Sequence, residues 1–299
     1  MKRTIAALLC AIASSSALAG KLPVVASFSI VADLAREIGG DRVQVESLVG
    51  PDQDAHVYQP TPADIRKLSR ARVFVVNGLG LEGWLGRLGG ASHFKGVVIE
   101  AAAGVKPLSA HEDGEARGHD HDHGHGVDPH AWQDPQRVKR YVDNIERGFV
   151  AADPAGKTEF AARASALRQR IDALDAWAAK GFAAVPASRR TVLTSHDAFG
   201  YLADRYRVRF VAPQGVSTEA EASAKGVARL VQQIRKEKVR AVFFENMSDA
   251  RLLKQIAREA GVDVSSKLYS DALSSPGTPA DTWEKMFRYN VQTILTSLR

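Results

Sequence analysis

Two stretches of the chain alternate short apolar runs with amphipathic ones, and one long amphipathic segment lies between them. In the first stretch, residues 22–29, 43–49, 72–77 and 97–100 are brief β-rich runs that predict strands. Helical spacing falls between them at 30–38 and 61–70, where Thr61 is placed to cap and Pro62 to enter the first turn. The second stretch predicts strands at 191–195, 208–212, 239–245 and 262–269, and helices at 197–206, 218–236, 249–260 and 279–298. Alternating β and α segments build parallel sheets, so the predicted fold class is α/β with two Rossmann-like lobes. Ligands of such sheets bind beyond the carboxyl ends of the strands, which gives weight to polar residues found there.

The separating segment, 153–185, places Phe160, Leu167, Ile171, Leu174 and Trp177 at helical steps. Asp153 and Pro154 read as its start and Pro186 as its stop. About 30 residues at 1.5 Å each give roughly 45 Å, long enough for a strut between lobes. The expected organisation is therefore an N-terminal lobe over 20–152, a linking helix over 153–185 and a C-terminal lobe over 186–299. Residues 1–19 read as a signal peptide: Lys2 and Arg3, an apolar run, then Ala17-Leu18-Ala19 as a cleavage site. The single cysteine, Cys10, lies in that segment, where Leu9 and the short apolar run before it argue against a lipid-anchored cysteine. A soluble, exported protein without thiol chemistry fits the periplasm of a double-membraned bacterium.

Composition narrows the function. The 299 residues are 45% hydrophobic and 25% charged, an ordinary globular balance. Forty Lys and Arg against 34 Asp and Glu give a net charge of +6, interleaved along the chain without a basic stripe, so nucleic acid is not an expected partner. There is no HExxH and no G-x-S-x-G elbow, which leaves a zinc hydrolase with little support. The segment GLGLEG at 78–83, with Glu100 further on, matches a dinucleotide fingerprint on paper. It follows a third strand instead of opening the first βα unit, and reads as a glycine-rich turn.

Nine histidines carry the remaining chemistry. Five lie in a His/Asp-rich island within 109–127, expected to be a mobile loop. There His119, His121, His123 and His125 alternate with acidic or small residues and are expected to form a secondary, weak metal site. His56, His130 and His196 instead follow or precede regular elements, as does Asp271 after the last predicted strand. Three imidazoles and one carboxylate make a sensible shell for Zn²⁺, whereas Mn²⁺ prefers more oxygen. Glu245 also ends a strand and ranks below Asp271, as an outer carboxylate or an alternative ligand.

The segments DAHVYQPTPADI, VNGLGLEGW, DPHAWQDP, TSHDAFGYL, GVSTEAEAS and LYSDALSSPGTPADT run in order through nearly the whole chain after residue 19. Together they resemble the metal-receptor component of bacterial zinc and manganese ABC importers. The resemblance implies two lobes joined by a rigid helix, with a metal site in the cleft between them. It implies metal ligation by His56 and His130 from the first lobe and His196 and Asp271 from the second, with no catalytic residue. Manganese members commonly carry glutamate at the His196 position, and His-rich loops are typical of zinc members, so the resemblance favours Zn²⁺ as the transported ligand over Mn²⁺. The implied partner is a membrane permease, with a periplasmic metallochaperone as a further one, and a monomer is expected. Ala222, where many relatives have proline, is a departure that leaves the ligands untouched. A different class, a metal-stabilised adhesin, would hold its ion without exchange.

Overall fold

A computed structural model describes residues 20–110, 126–219, 223–237, 239 and 241–299. The expected signal peptide and Cys10, the histidines of the island, and Ala222 lie outside the described residues.

The first apolar runs form strands β1 (Leu22–Phe28), β2 (Val43–Val49), β3 (Val73–Val76) and β4 (Val97–Glu100). They make a parallel sheet in the order β2-β1-β3-β4, with Val24 paired to Val45 on one side and Val73 on the other. Strands β5 (Thr191–Leu193), β6 (Arg209–Val211), β7 (Ala241–Glu245) and β8 (Val264–Leu268) repeat the plan in the order β6-β5-β7-β8. In each sheet the chain starts near the middle, steps outward to one side, and returns to build the other. The carboxyl ends of β1 and β3, and of β5 and β7, therefore flank a switch point of the kind that hosts ligands in open α/β sheets.

Helices α1 (Ser29–Gly39), α2 (Pro62–Arg70), α3 (Leu85–Ser92) and α4 (Pro135–Ala152) belong to the first lobe. Thr61 caps α2 through a capping box with Asp64, and Pro62 sits in its first turn, as the sequence predicts. Helix α3 was not expected, because its segment LGRLGGAS is rich in glycine; it is entered from the buried Trp84. The long helix α5 (Lys157–Ala183) starts after a 3-10 turn over Pro154–Gly156. Its 27 residues span about 40 Å at 1.5 Å each. Phe160, Ala164, Leu167, Ile171, Ala178 and Phe182 form its buried stripe, spaced as i, i+3 and i+4 demand. The second lobe adds α6 (Gly200–Tyr206), α7 (Ala224–Glu237), α8 (Ala250–Ala260) and α9 (Trp283–Leu298).

One continuous core runs through both lobes, with Phe28 and Trp132 from the first, Phe160 and Phe182 from α5, and Phe199 and Trp283 from the second. A smaller cluster, including Leu193, Ile234 and Ile256, packs among β5–β7, α7 and α8. The seam between lobes is hydrogen-bonded as well as apolar. Trp132 Nε1 and Gln133 Nε2 donate to the Ser270 carbonyl at 2.8 and 3.0 Å, and Trp283 Nε1 donates to the Trp132 carbonyl at 3.0 Å. No described helix is long and apolar enough to cross a membrane.

Candidate metal centre

Four loops from the two lobes meet at this seam, and each is pinned by local chemistry. The loop after β2 carries His56. Its backbone N–H donates to Asp54 Oδ1 at 2.9 Å, and Trp84 Nε1 clamps the neighbouring Ala55 carbonyl at 2.8 Å. His130 lies before a 3-10 turn, Ala131–Gln133, with its backbone N–H donating to Asp128 Oδ1 at 2.9 Å. His196 follows β5, where Glu245 Oε1 accepts the backbone N–H groups of Ser195 and His196. Asp271 follows β8. On one side Asn290 brackets Tyr269 through its N–H and carbonyl, and on the other Leu273 N–H donates to Ser29 Oγ at 2.9 Å.

The structure brings His56, His130, His196 and Asp271 together, with one donor atom of each within 4.8 Å of the others. Asp271 Oδ2 is 3.3 Å from His56 Nε2 and 3.0 Å from His196 Nε2, while Oδ1 is 3.4 Å from His130 Nε2. The Nε2 atoms of His56 and His130 are 3.3 Å apart. Donors about 2.0–2.2 Å from a tetrahedral ion stand about 3.3–3.6 Å from one another, close to these separations, so one small divalent ion fits among them. His130, His196 and Asp271 are fully buried, and His56 is 5% exposed.

The polar atoms of the cluster point to a cation. Neither oxygen of Asp271 accepts a well-aimed hydrogen bond, and His196 Nε2 has no such partner either. A buried carboxylate left this way is costly unless a positive charge compensates it. Burial favours the protonated acid, but His196 and His130 outweigh it and hold Asp271 well below the usual carboxylate range. Burial likewise opposes a charge on His196, yet Glu245 and Asp271 hold it well above the usual imidazole range. The cluster can hold a positive charge, with three imidazoles and one carboxylate around it.

Other residues singled out by sequence are placed elsewhere. Glu245 Oε2 lies 2.5 Å from His196 Nδ1, behind the ring, and is not in the cluster of four. His93 is the left-handed C-cap of α3. The GLGLEG segment is a turn that needs glycine: Gly78 has φ +87°, and a Cβ there would meet the Glu100 side chain. The amides at its start are already taken, since Glu82 accepts from Asn77 N–H at 2.6 Å and Gly78 N–H at 3.2 Å, as well as from Ser27 Oγ at 2.6 Å. A phosphate would find these groups occupied by the protein's own carboxylate. Sequence reasoning missed Asp128, whose Oδ1 sits 2.8 Å from His130 Nδ1. The available signal was its place two residues before a candidate ligand, a spacing at which an aspartate turns back on the backbone.

A groove of about 840 Å³ beside the centre is lined by Asp54, Ser195, Thr218 and Met247 among others. It reaches Ser195, adjacent to His196, and Asp54, two residues before His56, though not the donors themselves. Thr218 Oγ1 donates to Asp54 Oδ2 at 2.7 Å across it, tying the second lobe to the His56 loop.

Comparison with known proteins adds a consistent picture. The ZnuA family, described as zinc-uptake complex component A, periplasmic, matches residues 24–297. The manganese-binding lipoprotein MntA of Halalkalibacterium halodurans is 31% identical over 278 residues, which is 93% of this chain and 88% of that protein. The iron-binding protein YfeA of Yersinia pestis is 33% identical over 278 residues, covering 92% and 86% respectively. Among solved structures, the periplasmic zinc-binding protein TroA from Treponema pallidum superposes with a TM-score of 0.85 at 29% identity, covering 93% of this chain and 99% of that one. The names of these three relatives carry three different metals on one fold.

Proposed function

The chain belongs to the ZnuA family of metal-binding components of ABC importers, and from that premise we propose that it is an extracytoplasmic zinc receptor. In this reading His56, His130, His196 and Asp271 hold a single Zn²⁺ and release it to a membrane permease. The observation that carries it is the four-donor cluster, buried, drawn from both lobes and close enough together to share one ion. Family membership makes the protein a binding component and not an enzyme. Four protein donors also leave no open position for an activated water.

Donor chemistry supports zinc. Three imidazoles suit Zn²⁺, while Mn²⁺ favours oxygen-rich shells. A manganese reading has its own support in the name of the MntA relative and in the carboxylates Asp128 and Glu245 behind the histidines. Competition between Zn²⁺ and Mn²⁺ for metal-free protein decides between them, and preference for Mn²⁺ would replace zinc in this reading. The site itself is tested by His130→Ala and Asp271→Ala. Each is expected to weaken Zn²⁺ binding at least tenfold, roughly 1.4 kcal/mol. Wild-type affinity in both variants would remove the assignment.

Because the donors come from two lobes, any change in lobe arrangement loosens several bonds together, which gives the permease a way to extract a tightly held ion. The lobe boundaries at 20–152 and 186–299, with the linker 153–185, belong to this reading, as do export by residues 1–19 and weak capture by His119, His121, His123 and His125. A mature mass beginning at Gly20 is expected for the exported protein. All four donors lie on one chain, which supports a monomeric receptor; sedimentation of the zinc-loaded protein checks it.

A further inference from the structure

Two of the three histidines have a carboxylate behind the ring nitrogen that faces away from the cluster. Asp128 Oδ1 stands 2.8 Å from His130 Nδ1, and Glu245 Oε2 stands 2.5 Å from His196 Nδ1. The two carboxylates are used differently. A single oxygen of Asp128 serves both the His130 ring and the His130 backbone N–H, which is 2.9 Å away. Glu245 divides the task. Its Oε1 accepts from the backbone N–H groups of Ser195 and His196 at 2.8 and 2.9 Å, which leaves Oε2 for the ring. Oε2 lies off the axis of the ring N–H, but an oxygen this close cannot face a bare nitrogen lone pair without repulsion. Glu245 and His196 are both buried. A proton on Nδ1 relieves the conflict; the other nitrogen, Nε2, 3.0 Å from Asp271 Oδ2, is then the one whose proton an incoming ion displaces, which frees its lone pair for the ion.

We propose that Glu245 is a positioning residue that sets the tautomer of His196 and so presents Nε2 to the ion, an inference that rests on the metal-site reading above. The divided oxygens make the proposal sharp. In Glu245→Gln, the two backbone N–H groups hold the amide oxygen, because the opposite flip would set the NH₂ against two donors. The NH₂ then faces His196 Nδ1 and requires a lone pair there. The proton moves to Nε2 and blocks the ligand atom. In Asp128→Asn, the one amide oxygen can still serve both of its donors, so the His130 tautomer stands. Equivalent substitutions at the two positions therefore have unequal effects.

The test measures Zn²⁺ affinity of the intact protein by competition with a chromophoric chelator, for wild type, Glu245→Gln, Asp128→Asn and His196→Ala. Imidazole ¹⁵N–¹H spectra of the zinc-loaded protein accompany it. Glu245→Gln is expected to bind about 10- to 100-fold more weakly, the range for loss of an outer-shell partner. Asp128→Asn is expected to lose less than about tenfold by the same scale. Wild type should show His196 protonated at Nδ1 and metal-shifted at Nε2, a signature that disappears in Glu245→Gln. Undiminished affinity in Glu245→Gln, or equal losses in the two amide variants, overturns the proposal while His196→Ala still binds poorly. Wild-type affinity in His196→Ala instead removes the metal-site reading itself. Should Glu245→Gln fail to fold, the wild-type spectrum decides alone, since a deprotonated Nδ1 on zinc-bound His196 contradicts the proposal.

Discussion

Asp271 is a buried carboxylate faced by three imidazoles, with no lysine or arginine paired to it among the described residues. In the metal-free protein Glu245 and Asp271 favour a proton on His196, whose charge offsets that of Asp271. An incoming cation must displace that proton, so binding weakens as acid protonates the nitrogens. Zn²⁺ affinity should fall steadily from pH 7.5 to 5 in a buffered titration; a flat profile would count against imidazole ligation. A second buried carboxylate, Asp33 on α1, gives a stability prediction. It accepts the Trp283 N–H at 2.7 Å at the start of α9. Burial raises its pKa to about 6, against that hydrogen bond and alongside Glu37 and Asp281, with Arg36 opposing. Because the folded value lies above the unfolded one, this contribution is full below about pH 4 and is lost as pH rises through about 6. The difference is about 3 kcal/mol. Asp33→Asn keeps the acceptor and should abolish that part of the fall, seen as urea midpoints that depend less on pH between 4 and 6. The four clustered residues were legible mainly through the family resemblance of the segments that carry them; their places on loops at element ends were the weaker signal. Glu245 was visible as a strand end, but its role as backing and not ligand depends on which oxygen meets which N–H. Asp128 carried only a weak signal, its place two residues before His130, because its role appears when that turn folds it onto the ring.

At the scale of elements, α5 is the beam to which both lobes are fastened. Asp175, on its buried side, takes Arg205 and the Tyr206 hydroxyl from α6 and Gln136 Nε2 from α4. Burial works to raise its pKa, but Arg205, Tyr206 and Gln136 lower it overall, so it stays ionised. Asp175→Ala leaves Arg205 with less compensation and the tyrosine and glutamine without their acceptor. A loss of about 2–3 kcal/mol is expected in urea unfolding, as for hydrogen bonds to a charged group. Arg170 reaches Glu37 on α1 and Glu284 on α9 at 2.5 and 3.1 Å, also bridging the lobes. Its partners are exposed or partly exposed, so Arg170→Ala should cost less than about 1 kcal/mol. The alternation of strands and helices was readable from apolar runs, and α5 from its stripe. Helix α3 was hidden by three glycines among its residues, Gly86, Gly89 and Gly90, which local propensity counts against a helix. The expected helix over 218–236 instead begins at Ala224, and Thr218 spends its hydroxyl on Asp54 across the lobe interface. Neither outcome is encoded locally, since both depend on partners distant in sequence.

At the scale of the whole molecule, the repeated sheet order puts two switch points face to face, each with a buried carboxylate. Glu82 is consumed by its own lobe's amides, while Glu245 keeps one oxygen for a histidine. Around them the core is shared between lobes, and Trp132, Gln133 and Trp283 stitch the seam next to Asp271. Separating the lobes widely would expose that core and break these bonds, so capture by wide hinge closure is disfavoured and local loop opening is favoured. The bound ion should act as a cross-link. At 100 times its Kd, a ligand specific to the folded state adds about 2.7 kcal/mol, or a Tm gain of about 5 °C for a chain this long. Asp271→Ala should lose most of that gain in a thermal scan with Zn²⁺. The most direct test is an anomalous difference map from a zinc-soaked crystal, collected on both sides of the zinc edge. One dominant peak bonded to His56, His130, His196 and Asp271 is the predicted result. A map with no peak between those four side chains, and zinc found only among the histidines of 119–125, would contradict the account.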